Sequence, residues 1–137
     1  MARELDLRGV MNGDEDIVWC LRDRLVPVRP ARVMGILNIT PDSFHSDSRQ
    51  ATVDEALRTT ERMIADGAAI IDIGGASTRP GAHEVPVDKE RERAVPVISA
   101  IHREFPEAWI SIDTWRASIA SEAVAAGASM VNDIGAG

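Results

Sequence analysis

Four apolar runs of the sequence are each followed by an amide or carboxylate side chain. These side chains are Asn38, Asp72, Asp113 and the adjacent pair Asn132 and Asp133. Asp and Asn are poor strand formers, and in parallel α/β folds ligands bind at the carboxyl ends of the strands. The same residue types also cap helices and open turns, and Asp113 directly precedes a predicted helix. Because polar residues follow all four runs, we favour one shared polar site over four separate caps.

The segments that follow the first two runs carry further groups suited to ligand binding. Residues 38–44 read Asn-Ile-Thr-Pro-Asp-Ser-Phe and combine the amide with a proline-fixed turn and the aromatic ring of Phe44. Residues 74–81 read Gly-Gly-Ala-Ser-Thr-Arg-Pro-Gly and combine glycines, two hydroxyls and Arg79. Glycine lets a backbone approach a ligand closely, and an arginine among hydroxyls suits an anion. Ordinary turns also use glycine, so the second segment alone is weak evidence.

The polar groups can converge only if the apolar runs are strands of one sheet. The runs lie at residues 32–37, 68–71, 108–112 and 128–131. The first two are almost continuously apolar, as expected for strands that are covered on both faces. Helical patterns fill each gap, and this alternation with short connections predicts parallel strands joined by helical crossovers. The polar residues would then lie at one end of the sheet.

Three helices are predicted between the four strands. The first opens with a capping box formed by Thr52 and Glu55 and stops at Gly67, where a left-handed residue is favoured. The second contains Pro96, which should kink the helix or mark the start of a second piece. The third covers residues 115–126 and stops at the following glycine. Each helix carries apolar residues on one face, as packing against a sheet requires.

Residues 1–32 do not follow this repeat and form a separate part of the prediction. Two short apolar runs flank the polar segment 22–24, which predicts a β-hairpin. Residues 1–16 are polar and are expected to form a loose arm. We therefore divide the chain into an arm with a hairpin at 1–32 and an α/β unit at 33–137.

Composition excludes several broad classes of function. A net charge of −7 argues against a general nucleic-acid or anionic-membrane binder, because phosphate backbones are bound chiefly by Lys and Arg. The sequence contains one cysteine, Cys20, which excludes an internal disulfide framework and fits a reducing compartment. No segment approaches the roughly 20 apolar residues of a membrane helix, so we expect a cytoplasmic domain without membrane or nucleic-acid partners.

Four segments together resemble the successive signatures of the dihydropteroate synthase family. They are residues 34–44 (MGILNITPDSF), 71–81 (IDIGGASTRPG), 110–114 (ISIDT) and 131–134 (VNDI). The resemblance implies an α/β fold of the TIM (β/α)8 barrel class, of which the first half is present as about four parallel strands and three helices after an N-terminal hairpin. It also implies a transferase of folate biosynthesis, which condenses 6-hydroxymethyl-7,8-dihydropterin diphosphate with 4-aminobenzoate to give 7,8-dihydropteroate and diphosphate.

The resemblance assigns roles to residues at the matching positions. Asn38 matches the residue that holds Mg²⁺ against the departing diphosphate, and Asp113 and Asn38 are the predicted catalytic residues. Asp113 and Asn132 match pterin-binding residues, and Thr78 matches a residue that binds the pterin diphosphate. The loops that form the 4-aminobenzoate side, where sulfonamides compete in this family, contain Phe44, Thr78 and Pro80. Substrate binding is thus predicted for Phe44, Asp72, Thr78, Arg79, Pro80, Asp113 and Asn132.

Two departures from the family pattern limit what we expect of this chain. The first loop continues with His45-Ser46-Asp47-Ser48-Arg49 in place of an acid and paired glycines, and Asp47 could supply the acid one position late. A complete barrel needs about 250 residues, and the family's later Asp, Lys and Arg-x-His are absent from this sequence. We therefore expect the isolated chain to be inactive, and to form a homo-oligomer or to be completed by a missing C-terminal half.

Two alternatives remain open. The first is a related pterin-binding barrel that transfers a methyl group from a folate to a corrinoid, although the loop at 38–44 is not its signature. The second is a pterin-binding or scaffold half-barrel without turnover, which the absent Lys and Arg-x-His would favour. Formation of product from 4-aminobenzoate would distinguish the synthase from both.

Overall fold

A computed structural model describes residues 17–41, 48–77 and 81–135 of the chain. It divides into two compact units, Met1–Arg32 and Val33–Gly137. The arm predicted at residues 1–16 lies outside the described residues. None of the helices in the described ranges has both the length and the apolar character needed to cross a membrane.

The first unit contains the expected β-hairpin. Strands β1 (Val18–Leu21) and β2 (Arg24–Pro27) pair antiparallel through a two-residue turn, in which Arg22 adopts a φ of 58°. The buried side chains of this hairpin are those of Leu21 and Val26. A backbone hydrogen bond from the N–H of Val28 to the carbonyl of Ile17 extends the pairing by one position.

The second unit is a four-stranded parallel sheet with a helix in each connection, which confirms the predicted α/β class. The strands lie in the order β3-β4-β5-β6, so consecutive strands are neighbours in the sheet. Every pair is parallel because a helix returns the chain to the starting end. The bounds are β3 Val33–Asn38, α1 Arg49–Ala65, β4 Ala68–Gly74, α2 Val87–Glu104, β5 Trp109–Asp113, α3 Ala117–Ala126 and β6 Met130–Asn132.

One face of this sheet forms an aliphatic core with the helices. Successive side chains of a strand point to opposite faces, and the isoleucine and leucine side chains on this face of the three longest strands enter the core. Each such isoleucine or leucine is at most 2% exposed, and full burial of such a side chain contributes roughly 1.5–3 kcal/mol. The core includes Leu37, Ile71, Ile73, Ile110 and Ile112 from the strands, and Ala94, Val97, Ile98, Ile101, Ile119 and Ala123 from α2 and α3. The opposite face carries the polar residues.

The predicted capping box of α1 is wrong. The helix begins one turn earlier, at Arg49, and its N-cap is Ser48. Ser48 has an extended backbone, and its side-chain oxygen accepts a hydrogen bond from the N–H of Ala51 at 3.1 Å. Thr52 lies inside the helix, where its hydroxyl donates to the Ser48 carbonyl. A serine hydroxyl can accept from the first free N–H groups of a helix as well as a threonine hydroxyl can. Of the two residues, Ser48 is the nearer to β3 along the chain.

The other helix predictions hold in part. The helix α2 runs without interruption from Val87 to Glu104, so Pro96 does not start a second piece. The buried residues on both sides of Pro96 hold the two halves against the sheet despite the missing N–H. The third helix begins at Ala117, two residues later than predicted, because Arg116 has an extended backbone. Both predicted stops are present, since Gly67 and Gly127 have positive φ values of 104° and 134°.

Candidate functional site

Three of the four predicted polar side chains share one row at the carboxyl end of the sheet. In register, Asn38 pairs with Gly74, Gly74 with Asp113, and Asp113 with Asn132. A Cβ atom built on Gly74 would lie 3.5 Å from Asn38 Oδ1 and 3.6 Å from Asp113 Oδ2. The amide and the carboxylate therefore converge over the glycine, which has no side chain to separate them.

The helix-capping explanation of these residues is wrong. The N-cap of α1 is Ser48, ten residues after Asn38, and the N-cap of α3 is Arg116 rather than Asp113. Asn132 is the last residue of β6 and lies in the same row as Asp113. The side chains are therefore held by strand backbone, which fixes their direction more firmly than a loop would.

Asp72 does not end its strand, which corrects the sequence prediction. The strand β4 continues to Gly74, and Asp72 lies one row deeper, paired with Ile36 and Ser111. It is only 3% exposed, and its Oδ2 accepts a hydrogen bond of 3.1 Å from Nδ2 of Asn132. Its other oxygen, Oδ1, and the hydroxyl of Ser111 have no hydrogen-bond partner among the described residues. Asp72 therefore fixes the side chain of Asn132, which belongs to the row at the carboxyl end of the sheet.

This contact determines which groups of Asn132 remain available. One N–H of its amide is directed at the Asp72 carboxylate, so the amide cannot turn over without losing a charge-assisted hydrogen bond. The carbonyl oxygen, Oδ1, is left to accept a hydrogen bond from a ligand. Asp113 adds two more acceptor oxygens in the neighbouring position of the row.

The site is electrostatically negative. Burial raises the pKa of the Asp113 carboxyl, and the negative charges of Asp72, Glu90 and Asp133 raise it further. The negative charge of each carboxylate disfavours the ionised form of the others. A ligand that donates hydrogen bonds, or on which positive charge develops, would relieve that repulsion.

Glu90 is a buried residue of this region that the sequence reading missed. It lies in the charged segment 88–93 but is completely buried, with its carboxylate bound to the Thr114 hydroxyl at 2.6 Å and to the Arg116 guanidinium. Glu90 precedes the buried Ala94 by four residues and Val97 by seven. It therefore belongs to the apolar stripe of the helix, and this spacing was a signal of burial.

Four predicted substrate-binding residues, Phe44, Thr78, Arg79 and Pro80, lie outside the described residues. Asn38, the predicted metal-binding residue, is exposed at the end of β3. Within the described ranges no group of three His, Cys, Asp or Glu side chains could hold a metal ion.

The fold and this row of acceptors define an α/β protein with a polar ligand site at the carboxyl ends of parallel strands. Residues 34–137 match the family of pterin binding enzymes. The chain belongs to this family, as the resemblance of its motifs predicts.

Three named relatives show a more specific similarity, to dihydropteroate synthases. Dihydropteroate synthase of Bacillus subtilis (strain 168) is 56% identical over 102 residues, which are 74% of this chain and 35% of that protein. The structure of Xanthomonas albilineans dihydropteroate synthase with 4-aminobenzoic acid has 42% identity and a TM-score of 0.78, with 87% of this chain and 43% of that chain covered. The Yersinia pestis synthase with a sulfonamide drug has 43% identity and a TM-score of 0.76, with 86% and 42% covered.

These matches confirm the predicted fold class. The parallel sheet and its helices superpose on part of the TIM barrel of the solved synthases. The chain spans 35% to 43% of the length of the three relatives named above.

Proposed function

We propose that this chain supplies the pterin-binding part of a dihydropteroate synthase. The reaction joins 6-hydroxymethyl-7,8-dihydropterin diphosphate to 4-aminobenzoate and yields 7,8-dihydropteroate and diphosphate. The observation that carries the proposal is the row of Asn38, Asp113 and Asn132 around Gly74, in a chain of the pterin-binding family. We expect the reaction to take place in the cytoplasm.

The acceptors of the row suit the edge of a pterin. A pterin ring presents N–H donors in fixed directions, and the Asp113 carboxylate and the Asn132 carbonyl oxygen are acceptors in adjacent positions. Hydrogen bonds to a carboxylate are roughly twice as strong as those between neutral groups. Asp72 contributes indirectly, because it fixes the Asn132 amide through the 3.1 Å hydrogen bond.

The negative site also suits the chemistry. The bond between the exocyclic methylene carbon and the diphosphate oxygen breaks, and diphosphate leaves with the electron pair. The amine nitrogen of 4-aminobenzoate forms a bond to that carbon and then loses a proton. Positive charge develops on the pterin methylene during this exchange, and the carboxylates of Asp113 and Asp72 stabilise it without reorganisation because the strands already hold them.

Mg²⁺ is part of this proposal. Magnesium prefers hard oxygen ligands and is commonly held by one or two protein groups together with substrate phosphates. The exposed Asn38 amide oxygen, which lies beside Gly74 at the end of the sheet, is a hard oxygen ligand of this kind. When bound, the ion would neutralise charge on the departing diphosphate.

The second substrate is assigned to the loops that follow β3 and β4. A related structure contains 4-aminobenzoic acid and another a sulfonamide drug. By the family resemblance we assign Phe44, Thr78 and Pro80 to the 4-aminobenzoate side. We assign Arg79, with Thr78, to the anionic diphosphate. Sulfonamides would then compete at the same loops.

The exposed apolar residues of the polar face support association with further protein. Ile36 is 62% exposed and Met34 is 36% exposed, and both belong to the face that carries Asp72. Exposed aliphatic side chains beside a binding site favour cover by another surface. We propose that a second copy or the remaining part of a barrel covers them. A folded monomer at low concentration in gel filtration would contradict this proposal.

Calorimetry with a pterin, followed by an assay for dihydropteroate, tests the function. We expect the chain to bind the pterin, and Asp113→Ala and Asn132→Ala to weaken binding by roughly tenfold or more, since each removes hydrogen bonds to the ligand. Glu122→Gln is the matched control, because it breaks an ion pair between α2 and α3 with Arg91. Binding without product would favour the non-catalytic alternative. Absence of binding would contradict the proposal.

A further inference from the structure

Glu90 is an unusual residue to bury on the inner face of a helix. It is fully buried in the first turn of α2, on the same stripe as Ala94 and Val97. Moving a carboxylate out of water is unfavourable, and pairing it often only balances that cost. An apolar side chain would pack at this position without the cost. The position of Glu90 is therefore better explained by what it holds than by stability.

What Glu90 holds is the segment that follows Asp113. The Thr114 hydroxyl donates to Glu90 Oε1 at 2.6 Å, and the Arg116 guanidinium binds Glu90 Oε2. The N–H of Arg116 donates in turn to the Thr114 hydroxyl at 3.2 Å. The hydroxyl therefore bridges the buried carboxylate and the backbone of the turn that follows Asp113.

Contacts on two other sides restrain the same segment. Arg116 Nη2 donates to the Val85 carbonyl at 2.7 Å and to Glu84 Oε1 at 3.0 Å, which ties the turn to the chain before α2. The backbone N–H of Thr114 donates to the backbone carbonyl of Asn132 at 3.1 Å, and this bond joins the segment to β6. Asp113 and Asn132 are thus linked through backbone as well as by register.

We propose that Glu90, Thr114 and Arg116 form a positioning unit for the pterin-binding site, which fixes Asp113 relative to Asn132. None of the three residues was among the predicted site residues. The proposal rests on the proposed function, because it names what sets the geometry of the same site. It assigns no contact with the ligand to the three residues.

The Thr114 hydroxyl offers the cleanest test, since valine has nearly the same shape and lacks the oxygen, whereas serine keeps it. In calorimetry with a pterin, Thr114→Val should weaken binding roughly tenfold, because loss of one hydrogen bond to a buried charge frees the turn. Thr114→Ser should bind within about twofold of the parent, a rescue that a purely structural role of the methyl group would not give. Circular dichroism establishes that each variant is folded at the temperature of the titration.

Two further variants complete the design. Glu90→Gln keeps the size of the side chain and weakens its bond to Arg116, and it should reduce pterin affinity in the same direction as Thr114→Val. Glu122→Gln removes one of the two carboxylate partners of Arg91 among the described residues, in an ion pair that joins α2 to α3 and in which both side chains are at least one-third exposed. It should leave pterin affinity unchanged. If Thr114→Val is folded and binds like the parent, the positioning unit is wrong.

A readout without ligand separates this inference from the proposed function. Three-bond NMR couplings report the χ1 rotamer of Asp113, and we expect one rotamer in the parent and in Thr114→Ser, but averaging in Thr114→Val. Failure of the parent to bind pterin would contradict the proposed function alone. A single, unchanged Asp113 rotamer in Thr114→Val would overturn the positioning unit whether or not pterin binds.

Discussion

Adding a methyl group at Gly74 should separate stability from binding. The new Cβ would lie 3.5–3.7 Å from Asn38 Oδ1, Asp113 Oδ2 and Asp113 Cβ, which is ordinary van der Waals contact. The fold can therefore accept Gly74→Ala, and the loss of glycine freedom in the unfolded chain should stabilise the protein by about 0.4–1 kcal/mol. The methyl group fills the space over which the amide and the carboxylate meet, where we place the ligand.

The predicted effect on binding is the reverse of that on stability. Forcing a ligand against an extra methyl group costs roughly 1–3 kcal/mol, as overpacking does elsewhere. This cost corresponds to a loss of pterin affinity of roughly fivefold to 150-fold. The variant should thus be at least as stable as the parent and bind clearly less tightly.

The neighbouring glycine provides a variant with the opposite expected effect on stability. A Cβ on Gly75 would lie 2.9 Å from the carbonyl oxygen of Glu90 and 3.2 Å from its Cγ, so the first turn of α2 would have to shift. Gly75→Ala should destabilise the protein by about 1–3 kcal/mol. Urea denaturation gives the free energies of unfolding, and calorimetry with a pterin gives the affinities. Parent-like affinity in Gly74→Ala, or equal stability of the two variants, would refute this reasoning.

Three further predictions concern charge and helix ends. The pKa of Asp113 is raised in the folded state, so the folded chain binds more protons than the unfolded chain. The free energy of unfolding should therefore fall as the pH rises from the ordinary carboxyl range through the raised pKa of Asp113. Asp72→Asn should lower the Asp113 pKa in a ¹³C NMR titration of its carboxyl, and an unchanged pKa would contradict the assigned coupling. Ser48→Ala should lower the free energy of unfolding in urea by about 1 kcal/mol, and Thr52→Ala should lower it less, because Ser48 is the N-cap. A larger loss for Thr52→Ala would instead support the capping box predicted from the sequence. Gly127→Ala should lower the free energy of unfolding by roughly 1 kcal/mol or more, because φ is 134° and the new Cβ would lie 2.5 Å from the His102 ring. Stability equal to that of the parent would contradict this strain.

The sequence predicts the sheet well because its signals are local. Apolar runs of strand length alternate with helical patterns, and Gly67 and Gly127 stop the helices at backbone angles that glycine favours. The sequence alone misplaces the start of α1, because Ser48 and Thr52 both carry a hydroxyl that could cap it. Local chemistry alone does not decide between them.

The site was predicted less completely because its contacts join distant residues. Asp72 resembled a strand end, yet an amide 60 positions later lets a carboxylate remain inside the strand. Glu90 resembled a solvated charge, yet its partners are 24 and 26 residues further along the chain. The helical spacing of Glu90 indicates that it faces the core, but no local pattern reveals the distant partners that allow a charge to be buried there. The row of Asn38, Asp113 and Asn132 was accessible from sequence because parallel strands align their carboxyl ends.

A crystal structure of this chain with a bound pterin tests the account most directly. We predict that the ring lies over Gly74, with its N–H groups donating to the Asp113 carboxylate and to Oδ1 of Asn132, while the Asn132 amide still donates to Asp72. A pterin bound elsewhere, or bound with Asp113 turned away from it, would contradict the account.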